Sequence, residues 1–219
     1  MTGGIVFDND GLLLDTEPCW TRAQEQVFER RGRTFDLNAK QALVGTAPMT
    51  APLVLERLLP GQGEEASEEM YELAVGEIAA GAQPRPGALE LVEALTERWP
   101  LAIASNAPRR HLLTGLERVG VKDSFRVTIA IDDVGVPKPA PDLYLRACEL
   151  LGVEPARSVA LEDSPPGVAS ARAAGLLVLG VPSIDGIELE ADHVFESLAD
   201  RRVLQIIEGV LGDRGSDGG

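Results

Sequence analysis

The chain has 219 residues, 44% of them hydrophobic, and a formal net charge of −15. That length suits one sizeable domain or a core with a small insert, and the apolar content argues against wholesale disorder. The acidity speaks against nucleic acid or an anionic membrane surface as a partner, and no apolar run approaches the ~20 residues of a membrane helix.

The N-terminal stretch lacks the basic-then-apolar layout of a secretion signal, because Asp8 interrupts it. A soluble, cytoplasmic protein is therefore expected, with a monomer as the default. Ile5–Phe7 reads as a short buried strand. From Thr16 the pattern turns helical: Thr16 suits a cap, Pro18 suits a first turn, and Trp20, Ala23, Val27 and Phe28 form a stripe that Gly32 closes. Cys19 lies within that stretch and Cys148 far downstream, so both read as core thiols. Helical stretches follow at Leu37–Val44, Met49–Leu59 and Ser67–Ala80, the last two separated by Pro60, Gly61 and Gly63.

Gln83–Gly87 ("QPRPG") breaks the chain and the rhythm changes. Helix Ala88–Arg98 leads to strand Leu101–Ala104, helix Pro108–Val119 to strand Val127–Ile131, helix Pro141–Leu151 to strand Ser158–Leu161, and helix Pro166–Ala174 to strand Leu177–Val181. Val194–Phe195 reads as a short strand, Val203–Leu211 as a last helix, and the remainder as a frayed tail. Alternating helix and strand predicts an α/β fold, a Rossmann-like parallel sheet with helices on both faces. Roughly 65 helical residues separate the first strand from the rest, too many for an ordinary crossover. The expected organisation is an α/β core of residues 1–15 and 83–212, a helical cap of 16–82 and a flexible tail of 213–219.

Ligands bind beyond the carboxyl ends of such strands. Asp8 and Asp10 follow the first strand, Ser105 and Asn106 the second, Asp132, Asp133 and then Lys138 the third, and Glu162, Asp163 and Ser164 the fourth. Each group alone fits a polar turn or a helix cap. All four in order, each after a strand, do not. Four carboxylates on one rim call for a divalent cation, and the absence of His or Cys among them favours Mg²⁺ over Zn²⁺. Ser105 and Asn106 suit phosphate oxygens. Lys138, in the proline-stiffened "VPKPAPD", is the expected local positive charge. Asp133 is placed to orient it, and Asp142 to cap the helix that follows.

Four segments together resemble the haloacid dehalogenase superfamily, in its phosphatase and phosphomutase branch with a helical cap: "FDNDG" (Phe7–Gly11), "ASN" (Ala104–Asn106), "PKPAPD" (Pro137–Asp142) and "LEDSPPGVASARAAG" (Leu161–Gly175). "DGLLLDTEP" is also similar to the opening of bacterial sugar phosphatases of the 2-deoxyglucose-6-phosphate type. The resemblance implies Asp8 as nucleophile, forming an aspartyl-phosphate, and Asp10 as the acid and then the base. It implies Mg²⁺ held by Asp8, Asp10 through its carbonyl, and Asp163, with Glu162 beside it, and Ser105, Asn106 and Lys138 around the phosphoryl group. Candidate substrate contacts are Thr16 and, in the cap, Val44, Gly45 and Thr46.

The leading expectation is a phosphatase acting on a small phosphorylated metabolite, a sugar phosphate. The loop Leu43–Pro52 carries no Lys or Arg with which to grip a second phosphate, which tells against a β-phosphoglucomutase-like mutase. That mutase, and a non-catalytic metabolite-binding protein on the same fold, are the alternatives. His111 reads as a packing or exposed residue, and Arg109 and Arg110 as a solvated face.

Overall fold

The computed structural model describes residues 3–43, 46, 48–184 and 186–212. At its centre lies strand β1 (Ile5–Phe7), every residue of it fully buried. A two-residue strand β2 (Leu14–Asp15) leads into four helices, α1 (Glu17–Arg30), α2 (Leu37–Leu43), α3 (Ala51–Leu58) and α4 (Gly63–Gly81). Strand β3 (Gln83–Pro84) then pairs antiparallel with β2, Leu14 opposite Pro84 and Asp15 opposite Gln83. The chain thus rejoins the core beside the point where it left, and the Arg85 N–H donates to the Leu13 carbonyl at 2.9 Å.

Helix and strand alternate from there: α5 (Ala88–Thr96), β4 (Leu101–Ala104), α6 (Arg109–Val119), β5 (Val127–Ile129), the short α7 (Ile131–Val134), α8 (Asp142–Leu151), β6 (Val159–Glu162), α9 (Pro165–Ala173), β7 (Leu177–Gly180), β8 (His193–Val194) and α10 (Arg201–Gly212). Six strands form one parallel sheet in the order β5-β4-β1-β6-β7-β8. Ile5 pairs with Leu101 on one side and Val159 on the other. The chain builds outward from β1 in one direction, then returns to build in the other. This places a topological switch point at β1, where open α/β sheets take their ligands.

Strand alternation sends Ile5 and Phe7 to one face and Val6 to the other. The first face packs with Leu95 of α5, Leu112 and Leu116 of α6, and Val203 and Ile207 of α10. The second packs with Leu143, Tyr144 and Ala147 of α8 and with Val168 and Ala171 of α9. The helices between β2 and β3 have a core of their own, built on Val27, Phe28, Leu43, Leu55 and Met70. Cys19 and Cys148 are both buried and unpaired. Among the described residues no helix is long and apolar enough to cross a membrane.

The α/β class and the parallel sheet match the sequence expectation, and the boundaries differ in instructive ways. The β2–β3 ribbon has only two residue pairs, too few for an alternating pattern to show. Helix α4 starts at Gly63, four residues before Ser67, with Glu64 and Glu65 in its first turn offsetting the glycine. The strand expected to reach Ile131 stops at Ile129, because Asp133 folds back to accept from the Ala130 N–H and Ile131 opens α7. Strand β6 runs one residue further than expected and takes in Glu162. Asp142 opens α8 and does not cap it, Pro141 occupying the cap position. The expected tail, 213–219, lies outside the described residues.

Candidate active site

Asp8 follows β1 and is held by its own N–H, which donates to the Leu161 carbonyl of β6 at 3.0 Å. The chain then turns at Gly11, whose φ is +92°. A Cβ there would lie 2.1 Å from Asp163 Oδ2, so only glycine lets this turn press against the carboxylate that follows β6. The turn leaves Asp10 at the rim. Its Oδ1 accepts from Thr16 Oγ1 at 2.6 Å, and its Oδ2 accepts from Ser105 Oγ and Asn9 Nδ2, both at 3.1 Å. Ser105 Oγ in turn accepts from the Ala107 N–H at 3.0 Å.

Lys138 reaches the same rim from the loop before α8. Asn106 Oδ1 accepts from its backbone N–H at 2.9 Å, so the Asn106 side chain anchors the lysine loop. The ammonium donates to Asp8 Oδ1 at 2.5 Å and to Glu162 Oε1 at 2.6 Å. The Tyr144 hydroxyl donates to that same Oε1 at 2.6 Å. Glu162 Oε2 accepts from the Asp163 N–H at 3.1 Å and from Ser164 Oγ at 3.4 Å. This carboxylate packs so closely against α9 that a Cβ on Gly167 would sit 1.9 Å from Oε2.

Charge is concentrated here on side chains that are nearly all buried. Burial pushes the Asp8 carboxyl well above the ordinary range, Lys138 opposes the shift, and Glu162, Asp163 and Asp10 reinforce it. Burial, then Glu162, raises Asp163 to about 6. Burial alone would lower the Lys138 ammonium, but Asp8 and Glu162 overcome it and hold it charged. Burial and then the Glu162 charge drive the Tyr144 hydroxyl up, so it stays a proton donor.

Asp8, Glu162 and Asp163 are all buried, and each offers an oxygen within 4.8 Å of the others. Three carboxylates against one ammonium leave an excess of negative charge in a low-dielectric place. An all-oxygen set of this kind fits a hard divalent cation such as Mg²⁺.

These groups open onto one cavity of about 730 Å³. Its floor is the sheet rim, with Asp8, Asp10, Ser105, Asn106, Lys138 and Asp163. Its roof is the helical insert, with Trp20, Gln24, Lys40, Thr46 and Tyr71. Of the residues singled out in the sequence, Thr16 and Thr46 also line it. Glu162 does not: it is fully buried behind Lys138, and both its oxygens already carry donors. Val44 and Gly45 lie outside the described residues.

Asp133 does not orient Lys138. It pairs with the Arg109 guanidinium, so the lysine is positioned by Asp8, Glu162 and Asn106. Arg110 lies on a solvated face as expected, its side chain 61% exposed while it bridges to Glu72 of α4 at 2.5 Å. His111 packs, stacked on Trp20 at 5.1 Å with Nε2 2.8 Å from the Tyr71 carbonyl. Tyr144, Gln24, Lys40 and Ser183 were not assigned to the site from sequence. Tyr144 reads there as one more apolar position on α8's buried face, and the others sit on segments whose approach to the rim depends on tertiary folding.

The haloacid dehalogenase-like hydrolase family model matches residues 2–175. The phosphorylated carbohydrates phosphatase of Thermotoga maritima is 31% identical over 175 residues, covering 78% of this chain and 81% of its own length. The fructose-1-phosphate phosphatase YqaB of Escherichia coli is 30% identical over 175 residues, covering 79% and 93%. The crystal structure of CbbY from Rhodobacter sphaeroides in complex with phosphate superposes with a TM-score of 0.79 at 30% identity, covering 91% of this chain and 96% of that one. With Asp8 and Asp10 after β1, Ser105 and Asn106 after β4, Glu162 and Asp163 at the end of β6 and Lys138 reaching the same rim from the loop before α8, and with relatives matched over most of its length, this chain belongs to the haloacid dehalogenase-like hydrolases, in their phosphatase and phosphomutase branch.

Proposed function

We propose that this chain is a Mg²⁺-dependent phosphatase that hydrolyses a small phosphorylated metabolite, a sugar phosphate or a close relative, through an aspartyl-phosphate. The observation that carries this reading is the division of labour between two aspartates on one cavity. Asp8 is clamped by an ammonium, while Asp10 is held by two hydroxyls, Thr16 and Ser105. The names of the relatives, phosphatases of phosphorylated carbohydrates and of fructose 1-phosphate, support the substrate class.

A Mg²⁺ ion would be held by Asp8, Asp163 and the Asp10 carbonyl, where it would offset the charge of the carboxylates and of an incoming phosphate. Lys138 fixes the Asp8 carboxylate and adds its own charge against the equatorial phosphoryl oxygens. An Asp8 oxygen attacks phosphorus as the ester P–O bond breaks, and Asp10 gives its proton to the departing alkoxide. Asp10, now ionised, takes a proton from water as that water attacks the aspartyl-phosphate. Phosphate leaves and Asp8 is restored. Ser105 and the backbone at Asn106 position the phosphoryl group. Glu162 acts one layer back, holding Lys138.

The helices of residues 16–82 serve as the lid that roofs the cavity and excludes water during the transfer. The loop Leu43–Pro52 carries no Lys or Arg for a second phosphate, and that favours water over a bound sugar phosphate as the final acceptor. The cations that line the cavity besides Lys138 are, among the described residues, Lys40, which pairs with Glu17 at 3.1 Å, and Arg85. Phosphate release from a panel of monoesters, with and without EDTA, tests the reading. Metal-dependent release is expected. Full activity after metal removal overturns it, and an isomerised product without net phosphate release assigns a mutase instead.

A further inference from the structure

Glu17, Trp20 and Gln24 recur at spacings of three and four on α1 and so share the helix face that roofs the cavity. Their polar groups are not equally available. The Glu17 carboxylate is engaged with Lys40 at 3.1 Å. On the neighbouring segment Thr46 Oγ1 donates to the Leu43 carbonyl at 2.9 Å. Trp20 is fixed by His111, stacked at 5.1 Å, and by the edge of Tyr71 at 5.4 Å.

Gln24 differs. It is 8% exposed, it lines the cavity, and its carboxamide makes no hydrogen bond among the described residues. Its polar atoms are not sealed away in the packing, so the cavity is their outlet. A buried polar group without a protein partner needs water or a ligand to satisfy it.

A carboxamide is neutral and offers both a donor and an acceptor. It matches a hydroxyl, which is also both, and it cannot neutralise a second phosphate or a carboxylate. We propose that Gln24 is a specificity-determining residue that hydrogen-bonds a hydroxyl of the leaving group, so that the preferred substrates are monophosphates of polyhydroxylated carbon chains. This rests on the phosphatase reading above and narrows it. A substrate lacking hydroxyls would cover Gln24 and leave the carboxamide unpaired, and sites of that design discriminate strongly.

The test compares kcat/KM for hexose and hexitol monophosphates with kcat/KM for phenyl phosphate, in the parent and in Gln24→Leu, with Gln24→Met as a second variant of closer shape. A ratio of two substrates measured on one preparation is independent of how much of it is folded. The parent is expected to prefer the hydroxylated esters, and the variants to lower that ratio by about tenfold or more. A parent with no such preference, or a ratio that either active variant leaves unmoved, overturns the assignment of Gln24 while leaving the phosphatase reading in place. A parent that hydrolyses no monoester overturns both.

Discussion

Tyr144 donates its hydroxyl to Glu162 Oε1 at 2.6 Å, the oxygen that Lys138 also holds at 2.6 Å. The lysine ammonium lies 5.1 Å from the centre of the tyrosine ring. Tyr144 thus touches no cavity surface and yet helps set where Lys138, the one lysine on the rim among the described residues, points.

Tyr144→Phe keeps the ring and removes the donor. A hydrogen bond to a charged group is worth ~1.5–3 kcal/mol, so kcat should fall about tenfold with KM little changed. In a Glu162→Gln background the same substitution should cost much less, because the two residues act as one unit. Steady-state kinetics on the four proteins checks this. Additive losses would mean that Tyr144 does not act through Glu162.

Asp8→Asn keeps the volume and removes the nucleophile. Turnover should fall by more than about a thousandfold. Phosphate release at enzyme concentrations high enough to see single turnovers is the measurement, and a near-normal rate would contradict the mechanism.

Asp163 predicts a pH dependence for the metal-free protein. Its folded pKa, about 6, lies above the ordinary 3.8. Between those values the folded chain keeps a proton that the unfolded chain has lost, so stability falls as pH rises through 6. In EDTA, Asp163→Asn should therefore melt higher than the parent at pH 7.5, by an amount on the order of 1–3 kcal/mol, and show little gain at pH 4. Added Mg²⁺ should raise the melting temperature of the parent more than that of the variant. Thermal melts at the two pH values, with and without the metal, separate the cases.

Gly11→Ala should damage both stability and turnover. The new methyl meets Asp163 Oδ2 at 2.1 Å on a backbone with φ +92°. Strain of this kind costs roughly 1–3 kcal/mol. Denaturant melts should show the loss, and Mg²⁺ should recover less of it than in the parent because Asp163 has been pushed aside.

Most of this site is legible from residue order because β1, β4 and β6 end in short runs of buried apolar residues followed at once by polar ones. A parallel sheet turns that order into neighbourhood, so residue order alone places Asp8, Ser105 and Asp163 on one rim, and Lys138 joins them from the loop that follows β5 and α7. Tyr144 was not legible for the opposite reason. It sits on the buried stripe of α8, where a tyrosine is indistinguishable from packing until its hydroxyl is seen against Glu162. Asp133 was misplaced because adjacency in sequence to Lys138 counts for less than the turn of α7, which hands it to Arg109. The roof is harder still: α1 and α4 announce themselves as helices, but which of their faces meets the rim depends on packing between the insert and α6, through Trp20, Tyr71 and His111.

The ribbon of Leu14–Asp15 against Gln83–Pro84 is small, and it makes the chain's path through the core indifferent to what hangs from it. A segment whose two ends meet at that separation can be threaded between Thr16 and Gln83 without redrawing the sheet, provided Thr16 stays on Asp10. Preference for one metabolite over another can be rewritten there by grafting the hanging piece, so long as the new piece still closes over the rim.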